Sequence, residues 1–379
     1  MAVPFYKHGL GQPELDAIAE VFKGSILTTG EWVSRFEKRF ADYLGTKGAL
    51  GVTSCTGALH MSLLAWDIGP GDEVITTPLT FIASSTAIME AGARPVFVDV
   101  EEDTGNLDAA RVEAAITPRT KAILPVHLYG QMCDMKALRA IADRHNLAIF
   151  EDAAHCVEGV RDGVKPGQLG DTASFSFYAT KNLTCGEGGA LAWNDESRSK
   201  RLNLLRLHGM TKMAADRARE GYTHWDMTLL GWKYNMDNIQ AAMLLPQMDR
   251  IDENWEKRQQ VALWYEEELQ AISGLSTPVT RPNTKHAWHL FPVLIGEGRR
   301  DAVIAHLQKA GVGCMVNYRA IHTLSFFKEA LRYGADAFPV ANRLGDAALS
   351  LPFYPTLSRE EVREVTRELG VALGKRKVA

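Results

Sequence analysis

Short apolar segments alternate with helix-like segments from about residue 13 to residue 250, and this alternation restricts the fold more than any other feature. Strand-like runs occur at residues 73–77, 95–100, 121–126 and 148–152, and a stretch with helical character separates each from the next. Such alternation is typical of βαβ units, in which helices cover both faces of a mostly parallel sheet. The sequence therefore predicts an α/β fold with buried strands.

The composition excludes several other classes of protein. The chain has 379 residues, 46% of them hydrophobic, and its net charge of −4 gives no basic surface for nucleic acid. No run of about 18 apolar residues is present, so we expect no membrane-spanning helix. The five cysteines are scattered without a CxxC pair, which predicts free thiols, no metal site and a cytoplasmic protein.

The pattern changes in the last third of the chain. Residues 237–271 read as a long helical stretch, in which Pro246 should cause a kink or a break. Shorter strands are then predicted at residues 289–295 and 313–318, and a terminal helix at residues 359–373. This mixture predicts a second, smaller α+β domain.

We accordingly predict two domains. A large domain covers residues 1–250 and starts with an N-terminal arm of about residues 1–12. The small C-terminal domain covers residues 251–379. The sequence does not mark the boundary at a single residue, because the long helical stretch extends across it.

Lys181 follows a strand-like segment and precedes the glycine-rich turn at residues 186–189. A lysine beyond a strand is most often a surface charge. Glycines, however, let the backbone pass close to a bound group and permit positive φ values. A lysine held over such a turn can be desolvated and lose its charge, as Schiff-base chemistry requires. Lys181 is therefore a candidate catalytic residue.

Asp152 ends an apolar strand-like segment, in the sequence Phe150-Glu151-Asp152. In open α/β sheets this end of a strand lines the ligand crevice. A carboxylate at that position can pair with a protonated pyridine nitrogen and so sustain an electron-accepting ring. The alternative is that Asp152 caps the segment that follows, and the residues alone do not decide between the two.

Two further segments fit a phosphorylated aromatic ligand. Thr56 and Gly57 stand at the start of a predicted helix, where free backbone N–H groups bind phosphate well. Phe81 lies between a strand and a helix, where its ring could stack on a flat heteroaromatic ligand. Each has a commoner explanation when taken alone, namely an ordinary capped helix and a core phenylalanine.

Taken together, these segments resemble the DegT family of sugar-nucleotide aminotransferases, which have the type I fold of pyridoxal-phosphate (PLP) enzymes. The resemblance covers nearly the whole chain. Its motifs are LTTG at residues 27–30, EDAAH at 151–155, SFYATKN at 176–182, GEGG at 186–189, KYNM at 233–236 and HAWHLF at 286–291. The resemblance implies that the large domain binds PLP.

The resemblance also implies a role for each matching residue. Lys181 matches the lysine that binds PLP as a Schiff base, and Asp152 matches the partner of the pyridine nitrogen. The remaining cofactor positions match His155 near the phenolic oxygen, Phe81 on the ring, and Thr56, Gly57 and Ser176 on the phosphate.

Asn235 matches an asparagine that reaches the phosphate from the other subunit. This match implies a homodimer with shared active sites. Tyr178 departs from the histidine that is frequent at its position, which leaves its role open. Candidate substrate contacts are Tyr6, Tyr178, Tyr318, Arg319 and His322.

The resemblance implies transfer of an amino group from L-glutamate, which becomes 2-oxoglutarate, to a nucleotide-linked keto sugar. Several motifs are most similar to the branch that aminates UDP-linked 4-keto sugars, for products such as lipopolysaccharide or other glycans. The alternatives are a 3-keto-sugar aminotransferase, a PLP-dependent sugar dehydratase and a non-catalytic regulator. Dehydratases of the family carry histidine in place of the lysine, so Lys181 argues against that alternative.

Overall fold

The computed structural model describes residues 2–212 and 224–374, and their main feature is a seven-stranded sheet. The strands are β1 Gly48–Val52, β2 Glu73–Thr76, β3 Arg94–Phe97, β4 Thr120–Leu124, β5 Ala148–Asp152, β6 Val160–Arg161, β7 Thr172–Ser176, β8 Gly189–Trp193, β9 Leu275–Ser276, β10 Thr284–Lys285, β11 Phe291–Ile295 and β12 Ala348–Leu351. Their order in the large sheet is β1-β8-β7-β5-β4-β2-β3.

The α-helices occupy most of the segments between the strands. They are α1 Gln12–Phe22, α2 Glu31–Leu44, α3 Cys55–Ala65, α4 Ala83–Glu90, α5 Ala109–Val112, α6 Met135–His145, α7 Glu196–Arg206, α8 Asn238–Asp249, α9 Ile251–Leu269, α10 Arg300–Lys309, α11 Ser325–Leu331, α12 Pro339–Ala347 and α13 Arg359–Leu373. Short 3₁₀ turns lie at Glu113–Ala115, Leu128–Gly130 and Ile321–Thr323.

Local sequence explains where the clearest helices begin and end. Asp134 caps α6 by accepting a hydrogen bond from the N–H of Ala137, and Asn146 ends the helix in the left-handed conformation. Ser358 and Glu361 form a capping box at the start of α13. The limits of α13 are those that the sequence predicted, and α6 lies in a segment that was predicted to be helical.

The direction of the strands confirms the predicted mostly parallel α/β sheet. The neighbouring pairs from β7 through β5, β4 and β2 to β3 are all parallel. Only β8 runs in the opposite direction, paired with β7 on one side and β1 on the other. Because β8 is reversed, its first residue lies at the same edge as the carboxyl ends of β1, β5 and β7. Four chain segments therefore meet there.

Apart from the large sheet, a separate hydrophobic core is built mainly from residues after 260. Strands β9, β11 and β12 form a three-stranded antiparallel sheet, which α9, α10 and α13 cover. Val3 belongs to this core, and its backbone bonds to Gly311 and Gly313. The N-terminal arm thus packs on the C-terminal part of the molecule, while the division near residue 250 stays a prediction.

Two local predictions need correction. The helix α8 continues through Pro246, and the break comes at Arg250, whose non-helical ψ angle of 20° separates α8 from α9. Residues 313–318 do not form the predicted strand. They pass between the N-terminal arm and β12, where Met315 makes only a single bridge to Ser350.

No helix among residues 2–212 and 224–374 is long and apolar enough to cross a membrane. All five cysteines in this part of the chain are free thiols.

Candidate active site

A cavity of about 400 Å³ opens at the edge of the large sheet where β5 and β7 end and β8 begins. Its size is usual for a site that binds a small molecule. Eight of the predicted site residues line it, namely Thr56, Phe81, Asp152, His155, Ser176, Tyr178, Lys181 and Tyr318. The sheet edge therefore brings together side chains that are far apart in the sequence.

Asp152 is the last residue of β5, and its carboxylate is held from two sides. One oxygen accepts a 2.7 Å hydrogen bond from the Ser84 hydroxyl, and the other accepts the N–H of Ala154 at 3.1 Å. Ser84 is itself held by Thr80 at 2.9 Å. The carboxylate thus closes the turn after β5, as the capping alternative required, and also faces the cavity.

Lys181 projects its amine into the same cavity from the turn after β7. Although part of the side chain lines open space, the surrounding protein removes water from the amine and lowers its pKa to about 8. Cys55 and Asp152 partly offset this effect. A lysine with this pKa is neutral in about a tenth of molecules at pH 7, far more often than an ordinary lysine, and the neutral amine is the nucleophile.

His155 is held in one orientation by two hydrogen bonds. Its Nδ1 accepts the backbone N–H of Tyr129 at 3.3 Å, so in the neutral ring the proton is carried by Nε2. Nε2 lies 3.2 Å from the hydroxyl of Tyr318. Burial and the nearby Lys181 hold the pKa of His155 well below its usual value. His155 therefore presents a neutral N–H donor to the cavity.

The start of α3 and the start of β8 form another wall of the cavity. Gly189 lies in register with both Val52 and Ser176. A Cβ atom on Gly189 would lie 2.5 Å from the carbonyl carbon of Ser54, so only glycine lets β8 pass the beginning of α3 this closely. Ser54 caps α3.

The predicted phosphate pair is only partly at the cavity. Thr56 and Ser176 line it, whereas Gly57 does not. The N–H of Gly57 donates at 3.0 Å to the Ser54 hydroxyl, and this internal cap explains why Gly57 does not present a free donor. The sequence did not identify Ser54, which does line the cavity.

Two aromatic side chains remain exposed at the cavity mouth. Phe81 is 55% exposed, and its ring centre lies 5.9 Å from that of Tyr318. Tyr178 is 47% exposed on the adjoining wall. An exposed ring beside an open cavity is available to stack on a flat ligand.

Asn235 does not line the cavity of its own chain. Its amide nitrogen donates to the Thr29 hydroxyl at 2.8 Å, and its amide oxygen accepts a hydrogen bond from Lys233. The residue is buried and bridges to Val52 at the end of β1, close to the start of α3.

The other substrate candidates lie outside the cavity. Tyr6 lines a smaller cavity of about 190 Å³ on the far side of Lys181. Arg319 is exposed and away from both cavities. His322 is buried, and its Nε2 lies 3.3 Å from the carbonyl oxygen of Ala335, in a core with Phe338. This placement gives His322 a packing role.

The groups that line the cavity fit each polar part of PLP. Asp152 offers a carboxylate for a protonated ring nitrogen, and His155 offers an N–H donor for the phenolic oxygen. Lys181 offers an amine for the aldehyde. The start of α3, with Ser54, Thr56 and Ser176 around it, offers hydroxyl groups and a helix N-terminus for the phosphate.

Comparison with known proteins agrees with this geometry. Residues 9–370 match the model of the DegT/DnrJ/EryC1/StrS aminotransferase family. GDP-perosamine synthase of Caulobacter vibrioides is 41% identical over 355 residues, which are 92% of this chain and 92% of the relative.

Solved structures extend the match to the fold and the cofactor. DesV of S. venezuelae is 36% identical, covers 99% of this chain and 100% of its own, and has a TM-score of 0.91. Spr1654 of Streptococcus pneumoniae, 29% identical in its PMP form, covers 98% and 99% with a TM-score of 0.93, and its PLP form is equally similar in fold. The chain belongs to the DegT/DnrJ/EryC1/StrS aminotransferase family and is a PLP-dependent sugar aminotransferase.

Proposed function

We propose that this enzyme transfers the amino group of L-glutamate to the keto group of a nucleotide-linked 4-keto sugar, with Lys181 and Asp152 as its catalytic residues. The observation that carries the proposal is that an amine and a carboxylate line the same cavity. Lys181 has an amine whose pKa is lowered to about 8, and Asp152 supplies a carboxylate held by Ser84. A lysine whose pKa is lowered by burial, beside a carboxylate in a cavity, is a candidate for a catalytic residue.

Lys181 has two tasks in this proposal. Its neutral amine binds the cofactor covalently at rest. When the amino donor takes its place, the freed Nζ removes the proton from the donor's α-carbon and later returns a proton to the amination product. A pKa of about 8 suits both directions of transfer, because the amine can gain and lose a proton near neutral pH.

Asp152 and His155 hold the cofactor in the proposal. When bound, PLP supplies an aldehyde that binds amines and a ring that accepts electrons. The Asp152 carboxylate keeps a proton on the ring nitrogen, and Ser84 fixes the direction in which it points. His155 donates its Nε2–H toward the phenolic oxygen, with its orientation set by the backbone of Tyr129.

The phosphate end requires a second copy of the chain. Asn235 does not line the cavity of its own chain, which accords with the prediction that it serves the cavity of a partner. Large apolar side chains are also exposed on segments that flank it, namely Leu27, Trp225, Met227 and Leu230. Exposed apolar groups of this kind favour burial between subunits, so we propose a homodimer with shared sites.

The identity of the nucleotide and of the sugar is proposed from resemblances to other proteins. Sequence motifs predict UDP, whereas the name of the 41% identical relative specifies GDP. We keep UDP-linked 4-keto sugars as the proposed substrates and GDP-linked ones as the second candidate. The free cysteines accord with a reaction in the cytoplasm.

A panel of UDP-, dTDP- and GDP-linked keto sugars, with the keto group at C3 or C4, tests the substrate. The enzyme should move ¹⁵N from labelled L-glutamate to C4 of a nucleotide-linked sugar, and the Lys181→Ala variant should not. Amination at C3 alone would instead establish the 3-keto alternative. Consumption of a sugar without uptake of ¹⁵N would establish a dehydratase.

A further inference from the structure

His289 lies beside the amine of Lys181, and neither the sequence motifs nor the proposed function gives it a task. Its Nε2 lies 3.4 Å from the Lys181 nitrogen, and its ring packs on that of His155 with centres 4.4 Å apart. The backbone N–H of His289 also donates to Tyr129 at 3.1 Å. The imidazole is thus fixed against the reacting nitrogen of the site.

The hydrogen bonds of Asn182 define which nitrogen of His289 carries the proton. The Asn182 amide nitrogen donates to Glu158 and to the carbonyl oxygen of Ala287, both at 3.0 Å. Its amide oxygen must therefore face His289, whose Nδ1 lies 3.3 Å away. In the neutral ring Nδ1 holds the proton and donates it to Asn182, so Nε2 presents a lone pair to Lys181.

A buried ion pair fixes the end of this series of hydrogen bonds that lies farthest from Lys181. Arg258 donates to the other carboxylate oxygen of Glu158, and both side chains are almost wholly buried. The pair occupies one oxygen of Glu158 and leaves the other as the acceptor of the Asn182 amide. Arg258, Glu158, Asn182 and His289 therefore form a continuous series that ends at the amine of Lys181.

We propose that His289 is the hydrogen-bond acceptor that aims the free Lys181 amine and stabilises its ammonium form during proton transfer, with Asn182, Glu158 and Arg258 as positioning residues. The inference rests on the proposed function of Lys181. When Nζ takes the proton from the amino donor, the new ammonium donates a hydrogen bond to Nε2 of His289. Nζ then releases a proton again, so His289 only accepts a hydrogen bond, and no proton is gained or lost by it.

The surroundings keep the proton on the lysine. Burial, and after it the charge of Lys181, hold the pKa of His289 well below its usual value, while that of Lys181 is about 8. A proton on Nζ therefore does not pass to Nε2. The titratable groups that face the amine are Cys55, Asp152, His155 and His289, and only His289 offers it a hydrogen-bond acceptor within 3.5 Å in the described part of the chain.

Three substitutions separate the contacts of His289. His289→Gln places an amide oxygen near the position of Nε2 and keeps an acceptor for Lys181. The shorter side chain of His289→Asn reaches only the position of Nδ1. This variant therefore keeps the contact with Asn182 and loses the contact with Lys181. His289→Phe removes both. His286→Asn is the matched control, since His286 is a buried histidine of the same segment that contacts Trp288 instead of Lys181.

The first test needs no amino donor. In the cofactor-free full chain, ¹³C NMR of the lysine ε-carbons follows the titration of Lys181, whose signal is assigned by its loss in Lys181→Arg. His289→Phe and His289→Asn should titrate at lower pH than wild type, because the ammonium has lost its acceptor, whereas His289→Gln and His286→Asn should stay near wild type. Equal midpoints in wild type and His289→Phe would overturn the proposal.

The second test uses the cofactor-loaded enzyme and L-glutamate in single turnover. His289→Phe should slow the loss of the visible absorbance about 10- to 100-fold, the effect of removing one hydrogen bond to a charged group. The isotope effect with α-deuterated glutamate should rise, and His289→Gln should restore most of the rate. An unchanged rate in His289→Phe would contradict the role. If the absorbance of the wild-type enzyme does not change with glutamate, the proposal that glutamate is the amino donor is wrong. The NMR titration still decides the role of His289 in that case.

Discussion

The site has a reaction centre and a rim, and under the proposed function one chain completes only the first. We define the reaction centre as Asp152, His155, Lys181 and His289, which are held by hydrogen bonds within the chain. The rim consists of the exposed Phe81 and Tyr178 at the mouth, and of the buried Asn235, which does not line the cavity of its own chain. This difference teaches that hydrogen bonds within one chain organise the reaction centre, whereas under the proposed function the rim is completed by ligand and by a second copy of the chain.

The largest expected effect is that of Lys181→Ala in the reaction centre. Formation of 2-oxoglutarate should fall about 10⁴-fold or more, because the variant loses both the amine that binds the cofactor and the proton carrier. Lys165 is the matched control, a lysine whose pKa burial also lowers, but which bonds to Tyr43 outside the cavity. Lys165→Ala should retain activity within about threefold. Equal losses in both variants would mean that Lys181 has no special role.

Asp152→Asn should have the second largest effect. We expect kcat to fall about 10²- to 10³-fold while the cofactor stays bound, because the amide cannot keep a proton on the ring nitrogen. Ser84→Ala removes only the hydroxyl that orients the carboxylate, and should cost about tenfold. Steady-state kinetics with spectroscopic measurement of bound cofactor check both. A larger loss in Ser84→Ala than in Asp152→Asn would contradict this ranking.

Asn235→Ala tests whether the rim belongs to two chains. Alone, the variant should need more PLP for half-saturation, by about tenfold, since the phosphate loses a contact. When it is mixed with Lys181→Ala under conditions that exchange subunits, about a quarter of the sites should be intact, because half of the dimers are mixed and each has one unaltered site. Activity that does not recover on mixing would place Asn235 and Lys181 of one chain in the same site.

The lowered pKa of Lys181 predicts a pH dependence of stability. The unfolded chain holds the lysine proton up to its ordinary pKa near 10.4, whereas the folded chain releases it near pH 8. Between these values the unfolded state binds more protons, so this group makes the cofactor-free protein more stable as pH rises. Lys181→Met should remove this contribution and raise Tm at pH 7 by roughly 1–4 °C, as measured by calorimetry. A lower Tm would show that the amine is favourably paired.

The smallest effect is expected for His322→Gln. The sequence made His322 a substrate candidate, but the structure places it in a core beside Phe338. The KM for the sugar nucleotide should therefore change less than about twofold, and any effect should be on Tm. A KM raised tenfold or more would place His322 at the substrate and extend the rim beyond the observed cavity.

The sequence pointed to Asp152 and Lys181 of the reaction centre because strand ends can be recognised one at a time. Asp152 and Lys181 each stand at a boundary between an apolar run and a turn, and parallel strands bring such boundaries to one edge. Ser84 could have been found by the same reasoning, since it lies in the first turn of the helix after β2, another parallel strand of the same sheet.

Contacts between distant loops could not be read in this way. His289 reaches Lys181 across 108 positions of the chain, and its orientation depends on Asn182 and Glu158, whose side chains look like ordinary polar residues in the sequence. Gly57 resembled a phosphate donor, but its N–H is used by Ser54 within the helix cap. Hydrogen bonds formed by the tertiary fold, rather than local pattern, decide these cases.

The visible absorbance of the cofactor-loaded enzyme on addition of L-glutamate tests the central claim most directly. The account predicts that the band of the lysine-bound cofactor disappears, that one equivalent of 2-oxoglutarate forms per site, and that a nucleotide-linked 4-keto sugar then restores the band. A band that persists with glutamate in the loaded wild-type enzyme, with no 2-oxoglutarate formed, would contradict the claim that Lys181 and Asp152 form the centre of a glutamate-dependent aminotransferase.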